Sequence, residues 1–173
     1  AAQMAAAIGA EVVVFDLRRD RLAAMRELGG NVTGLYPYPD AIRTAVSEAD
    51  LLIGAALHTG ERAPHIVSRD MVASMAPGSV IVDVSVDQGG CVETTRPTTY
   101  EAPTYIEQGV VHFAVTNMPG AVPRSASQAL STVILPYVQA LTRPDWQDNA
   151  SLARGINVAA GKLVHPALKE SLA

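Results

Sequence analysis

The residues best suited to chemistry lie in Asp83 to Cys91, DVSVDQGGC. A β-branched run, Val80 to Val84, ends here, and Asp87 follows at its carboxyl end. In a doubly wound sheet, ligands bind at the carboxyl ends of strands. A carboxylate there can hold an amine, orient a water or assist proton transfer. Gly89 and Gly90 allow the backbone to come close to a ligand. The plainer reading is a turn, since Asp and Gly are ordinary turn residues. Asp83, inside the run, reads as a structural hydrogen-bonding group. Asn117-Met118-Pro119-Gly120 follows the run Val110 to Val115 in the same way. It would set Asn117 at the same rim, again with a strand-end turn as the alternative.

A second carboxylate, Asp16, closes the run Glu11 to Phe15. In dinucleotide folds an acid at a strand end accepts hydrogen bonds from the adenosine ribose, about 20 residues after a glycine fingerprint. Counting back from Asp16 puts that fingerprint before residue 1, so the chain is expected to begin inside the fold. The alternative role is capping of the following helix. Arg18, Arg19 and Arg21 could receive the 2′-phosphate of NADP, but Asp16 would repel it, which favours NAD.

Other reactive side chains have plainer roles. His58 stands after the run beginning at Leu51, where a ligand-facing role competes with an exposed loop. His65 and His165 adjoin prolines and read as turn residues, and His112 alternates within a strand and reads as packed. Their spacings match no metal template. Cys91 has no histidine near it in sequence and reads as a buried thiol. Gly161-Lys162 lacks the upstream glycine and following Ser/Thr of a phosphate loop.

The elements that must position these groups alternate. Residues 1–9 read as a helix stopped by Gly9. Glu11 to Phe15 is a strand, Leu17 to Leu28 a helix with Leu22, Met25 and Leu28 on one face, and Asn31 to Tyr36 a strand. Asp40 can cap a helix carrying Ile42, Ala45 and Val46. Leu51 to Leu57 is a strand, Ser68 to Met75 a short helix, and Val80 to Val84 and Val110 to Val115 are strands. This order predicts a Rossmann-type doubly wound parallel sheet of the α/β class, incomplete at its amino-terminal end. Ser85 to Gln108 reads as a long loop, and loops of that length are usually functional. From Pro123 the period is helical, with a kink expected at Pro136. Two parts are therefore expected. Residues 1–123 form a dinucleotide-binding domain lacking its first strand and glycine-rich turn. Residues 124–173 form carboxy-terminal helices that return to a missing substrate domain.

Composition agrees with a folded α/β chain. Of 173 residues, 49% are hydrophobic and 17% charged, with a net charge of −4. The absence of a Lys/Arg run argues against nucleic acid or an anionic membrane as partner. No apolar stretch has the length of a membrane helix. A single cysteine rules out an internal disulfide framework and suits a reducing, cytoplasmic setting.

Four segments together resemble the alanine dehydrogenase family. They are ADLLIGAAL (Ala49 to Leu57), MAPGSVIVD (Met75 to Asp83), VDVSVDQGGCVETTRPTTY (Val82 to Tyr100) and HFAVTNMPGAVPRSAS (His112 to Ser127). The resemblance extends over essentially the whole chain. It implies reversible oxidative deamination of L-alanine to pyruvate and ammonia with NAD, in a metal-free homo-oligomer, usually a hexamer. By the same resemblance Asp16 matches the ribose-binding acid and Arg21 a basic cofactor contact. Ala56 and Leu57 match a strand-end contact. Val84, Ser85, Val86 and Asp87 line the nicotinamide side, with Asp87 matching the catalytic aspartate. Arg96 matches a basic residue of the long loop, and Val115, Thr116, Asn117 and Met118 the last cofactor-contacting turn. The family's catalytic histidine and its substrate-binding Arg and Lys belong to an amino-terminal domain that this chain lacks. Two departures are the loop His58-Thr59-Gly60-Glu61-Arg62 and Pro37. A non-catalytic dinucleotide-binding or assembly module, or the NAD-binding part of a transhydrogenase-like protein, is the competing reading. The DQGGC aspartate and the RPTTY run argue against the transhydrogenase reading.

Overall fold

The computed structural model describes residues 1–56 and 64–171. Leu57 and the loop His58 to Arg62 lie outside the described residues. Helix α1 (Ala2–Ala7) stops where Gly9 takes φ +91°. Strand β1 (Val12–Phe15) pairs in parallel with β2 (Val32–Leu35), Val12 opposite Val32 and Phe15 opposite Leu35. Between them α2 (Arg19–Arg26) buries Leu22.

Helix α3 (Pro39–Glu48) starts with a proline in its first turn, where the missing N–H costs nothing, so Asp40 lies inside that turn and is not the cap the sequence suggested. It buries Ile42 and Val46, one turn apart on one face. Strand β3 (Leu51–Gly54) follows, then α4 (Arg69–Ala73), whose first turn is capped by the Ser68 hydroxyl accepting from the Met71 N–H at 3.3 Å. Strands β4 (Val80–Asp83) and β6 (Val110–Phe113) lie parallel to β3, and β5 (Thr104–Glu107) is antiparallel to β6. The strand order is β3-β4-β6-β5. Helices α3 and α4 are fixed to this sheet by one core cluster that includes Ile42, Val46, Met71, Val72, Ile81, Val92 and Val110. Burying each such side chain contributes about 1.5–3 kcal/mol, which decides that α3 and α4 stay docked.

By contrast α5 (Pro123–Leu141) buries no residue and exposes Leu130, Val133, Leu135 and Leu141. It runs through Pro136 as one helix. Beyond it come α6 (Ala150–Arg154), a small hairpin of β7 (Val158–Ala159) and β8 (Lys162–Leu163), and α7 (Pro166–Ser171).

The class is the expected α/β one, with parallel pairing dominant. Two expectations about the strands need correction. The sheet is not wholly parallel, because Ser85 to Gln108 is not simply a loop: it contains β5, joined to β6 by the two-residue turn Gln108-Gly109. Both turn residues have positive φ, 55° and 76°, the backbone that folds adjacent strands back on each other. Among the described residues the β1-β2 pair forms a two-stranded sheet of its own. Finally, the carboxy-terminal segment is not all helical, since Ala160 and Gly161 turn β7 into β8 with φ of 47° and 74°.

Candidate functional site

Because β3, β4 and β6 are parallel, their carboxyl ends share one edge of the sheet. The segments leaving that edge are bonded to one another. After β4 the chain tightens into a 3₁₀ turn, Val84–Gln88. The Ser85 hydroxyl donates to the Ala56 carbonyl beyond β3 at 2.8 Å. The Asp87 carboxylate accepts the Asn117 N–H, with oxygens at 3.3 and 3.2 Å. Asn117 adopts φ +51°, ψ +49°, a left-handed conformation that asparagine tolerates better than most residues. The Tyr100 hydroxyl donates to the Met118 carbonyl at 2.9 Å. The rim thus brings together Ala56, Ser85, Asp87, Asn117 and Met118, which the sequence had placed separately. Asp87 and Asn117 face solvent, whereas Val86 and Val115 are buried. A carboxylate has about four acceptor positions, so Asp87 keeps capacity for a further donor.

Asp16 directly follows β1, and its carboxylate is engaged on both oxygens. One oxygen accepts the Arg18 N–H at 2.8 Å, closing the turn into α2. The other meets the Arg21 guanidinium at 3.3 Å. Acceptor positions remain on both oxygens for hydroxyl donors. Arg18 is drawn instead to Asp20, and their hydrogen bond raises the guanidinium and lowers the carboxyl from their ordinary values. Arg19 is exposed. Phe15 at the end of β1 and Ala56 after β3 both pack against the core cluster.

The segment after the rim is held by a polar column. The Arg96 guanidinium lies 4.0 Å from the centre of the Tyr105 ring, and the Arg96 N–H donates to the Tyr105 hydroxyl at 2.9 Å. That hydroxyl donates to the Thr94 carbonyl at 2.7 Å, and the ring stacks on His112 with centroids 4.8 Å apart. Burial pushes the Tyr105 phenol above its ordinary value. His112 is 1% exposed, with Nδ1 3.0 Å from the Val110 carbonyl and Nε2 2.7 Å from the Thr94 hydroxyl. Both ring nitrogens are satisfied, so it packs and does not reach the rim. Cys91 is buried, and burial raises its thiol above the ordinary value, which makes it a poor nucleophile.

Sequence reasoning missed Tyr105 and Thr95, which tie the Thr/Pro-rich segment to the sheet, and Tyr100, which ties it to the turn after β6. Hydroxyl side chains in such a segment carry no periodic signal. Among the described residues no cluster of His, Cys, Asp or Glu could hold a metal ion, and no helix is long and apolar enough to cross a membrane.

Comparison with known proteins agrees on one family. Residues 1–166 match the model described as alanine dehydrogenase/PNT, C-terminal domain. The alanine dehydrogenase of Halomonas elongata is 47% identical over 99% of this chain and 47% of its own length. A solved L-alanine dehydrogenase is 50% identical with a TM-score of 0.82, covering 99% of this chain and 48% of that one. The transhydrogenase from Sinorhizobium meliloti is 26% identical with a TM-score of 0.75, covering 96% and 46%. The chain spans about half the length of the curated relatives it matches.

Proposed function

The chain belongs to the alanine dehydrogenase/PNT C-terminal domain family, and from that membership we propose that it is the dinucleotide-binding part of an NAD-dependent L-alanine dehydrogenase. The observation that carries the reading is the rim itself. Asp87, at the carboxyl end of a central parallel strand, is joined to Asn117 at the end of its neighbour and still exposed. Asp16, Arg21, Ala56, Leu57, Val84 to Asp87, Arg96 and Val115 to Met118 are the residues that would hold NAD. Asp16 suits the ribose because it retains acceptor capacity beside Arg21. Val115, being buried, would contribute through its backbone.

NAD, when bound, supplies the two-electron acceptor. The chain's own part is to position and to move protons. Oxidation of the amine to an imine, followed by hydrolysis to pyruvate and ammonia, needs a base, an ordered water and stabilisation of positive charge. Asp87 holds the substrate ammonium, offsets the charge on the iminium and then orients the attacking water.

Residues 1–123 form the cofactor domain in this reading. Residues 124–173 return to a second, substrate-binding domain that supplies the remaining catalytic histidine, arginine and lysine. The uncovered apolar side chains of α5 support that return, because a helix with this many exposed Leu and Val residues calls for a cover. The whole protein is a cytoplasmic homohexamer, as the family resemblance implies. A transhydrogenase-like role is the second reading, supported by the similar fold of the Sinorhizobium meliloti protein. Alanine-dependent formation of NADH by the two-domain protein, reversed by pyruvate and ammonia, tests the proposal. NADH binding without any alanine-dependent turnover would favour the second reading and refute the first.

A further inference from the structure

We propose that Asp83 is a positioning residue for the reaction: its buried carboxylate fastens both ends of the segment that carries Asp87. The inference rests on the assignment of Asp87 made above. Asp83 is the last residue of β4 and is 0% exposed. One oxygen accepts the Ser85 N–H at 3.0 Å, at the start of the 3₁₀ turn. The other accepts the Cys91 N–H at 2.9 Å, the Val92 N–H at 3.2 Å and the Thr95 hydroxyl at 2.7 Å, all beyond the turn. The Cys91 thiol lies 3.6 Å from the first oxygen.

A buried carboxylate is costly unless it is fully hydrogen-bonded. Here the donors come from the chain before and after Asp87, so the group that satisfies the charge also closes the loop. Gly90 permits this closure. Its φ is +79°, and a Cβ there would stand 2.9 Å from the second Asp83 oxygen. Enclosed in this way, Asp83 cannot touch substrate. Asp87, in contrast, lies on the exposed side of the same closed segment, its reach set by Asp83 at one end and Asn117 at the other.

Asparagine at 83 would keep the shape but offers one acceptor and one N–H₂ donor. Whichever way the amide points, a donor faces the loop's N–H groups and the closure loosens. Displacement of a reacting group by about 1 Å costs on the order of 10²-fold in rate. The experiment uses the two-domain protein and compares Asp83→Asn, Thr95→Val, Asp87→Asn and the Asp83→Asn/Asp87→Asn double variant. For each, kcat, the KM for L-alanine, the NADH dissociation constant and the melting temperature are measured. Asp83→Asn should lower kcat by roughly 10- to 10²-fold, with NADH affinity changed far less. Thr95→Val removes a single donor and should give a smaller loss in the same direction, which keeps the test available should Asp83→Asn not fold. Once Asp87 is neutral its placement no longer matters, so Asp83→Asn should cost little more in that background. Additive losses in the double variant, wild-type kcat in Thr95→Val, or a joint fall in NADH affinity and kcat would overturn the inference while leaving Asp87 in place. Wild-type turnover in Asp87→Asn would overturn the assignment of Asp87 as well.

Discussion

Replacing Gly54 by alanine is expected to damage the fold just beneath the rim. Gly54 ends β3 opposite Asp83. A Cβ built there lies 2.6 Å from the Cys91 sulfur, 3.1 Å from an Asp83 oxygen and 3.3 Å from its carboxyl carbon. Carbon contacts are comfortable at about 3.5–4.0 Å, so the sulfur must give by roughly 1 Å. It cannot move freely, because Cys91 is buried and its N–H is held by Asp83. Overpacking of a core in this way costs about 1–3 kcal/mol. For a chain of this size each kcal/mol lowers the melting temperature by about 2–4 °C, giving a fall of about 2–12 °C. Thermal melts and urea titrations followed by circular dichroism measure it. Cys91→Ala removes the nearest atom, so Gly54→Ala/Cys91→Ala should be destabilised by less than the sum of the single changes. A neutral Gly54→Ala, or strictly additive effects, would refute the close packing of Gly54, Cys91 and Asp83.

Two other outcomes are expected. Asp16→Ala removes the charge that repels a 2′-phosphate and frees Arg21 to receive one. The preference for NAD over NADP should fall by roughly tenfold, the solvent at this partly exposed site screening a larger effect; kcat/KM for both cofactors measures it, and an unchanged ratio would disprove the ribose role. The Cys91 thiol and the Tyr105 phenol are both raised by burial above their ordinary values of 9.0 and 10.0. Their folded pKa values therefore exceed the unfolded ones, and their contribution to stability is complete below pH 9 and is lost as pH rises through the folded values. Urea midpoints should decline as pH rises above 9.0, less steeply in Cys91→Ala; a flat profile would contradict the burial of both groups.

Much of this was legible in the sequence because local and tertiary signals agreed. The valine-rich runs of β1, β4 and β6 and the glycine after α1 lie where the pattern set them. Asp87 and Asn117 could be placed at one rim because strand ends in a parallel sheet converge. Strand β5 escaped because its signal is a turn. An Asn-Gly or Asp-Gly pair announces a hairpin, whereas Gln108-Gly109 does so only through the left-handed backbone that glutamine is made to adopt. Ala160-Gly161 hid β7 and β8 in the same way. The donors to Asp83 were invisible for a different reason. Cys91, Val92 and Thr95 return to it through backbone and hydroxyl groups, and their approach depends on the path of the intervening turn.

The most direct test of the account is Asp87→Asn in the two-domain protein, with steady-state alanine oxidation and NADH titration on the same preparation. The substitution keeps the shape of the side chain and can still accept the Asn117 N–H, so the rim should hold. Turnover is predicted to fall by roughly 10²-fold or more, as expected for loss of a group acting in proton transfer, while NADH affinity stays close to wild type. Turnover near wild type would make Asp87 a turn residue, and a parallel loss of binding and turnover would make it a support for the cofactor; either result contradicts a catalytic role.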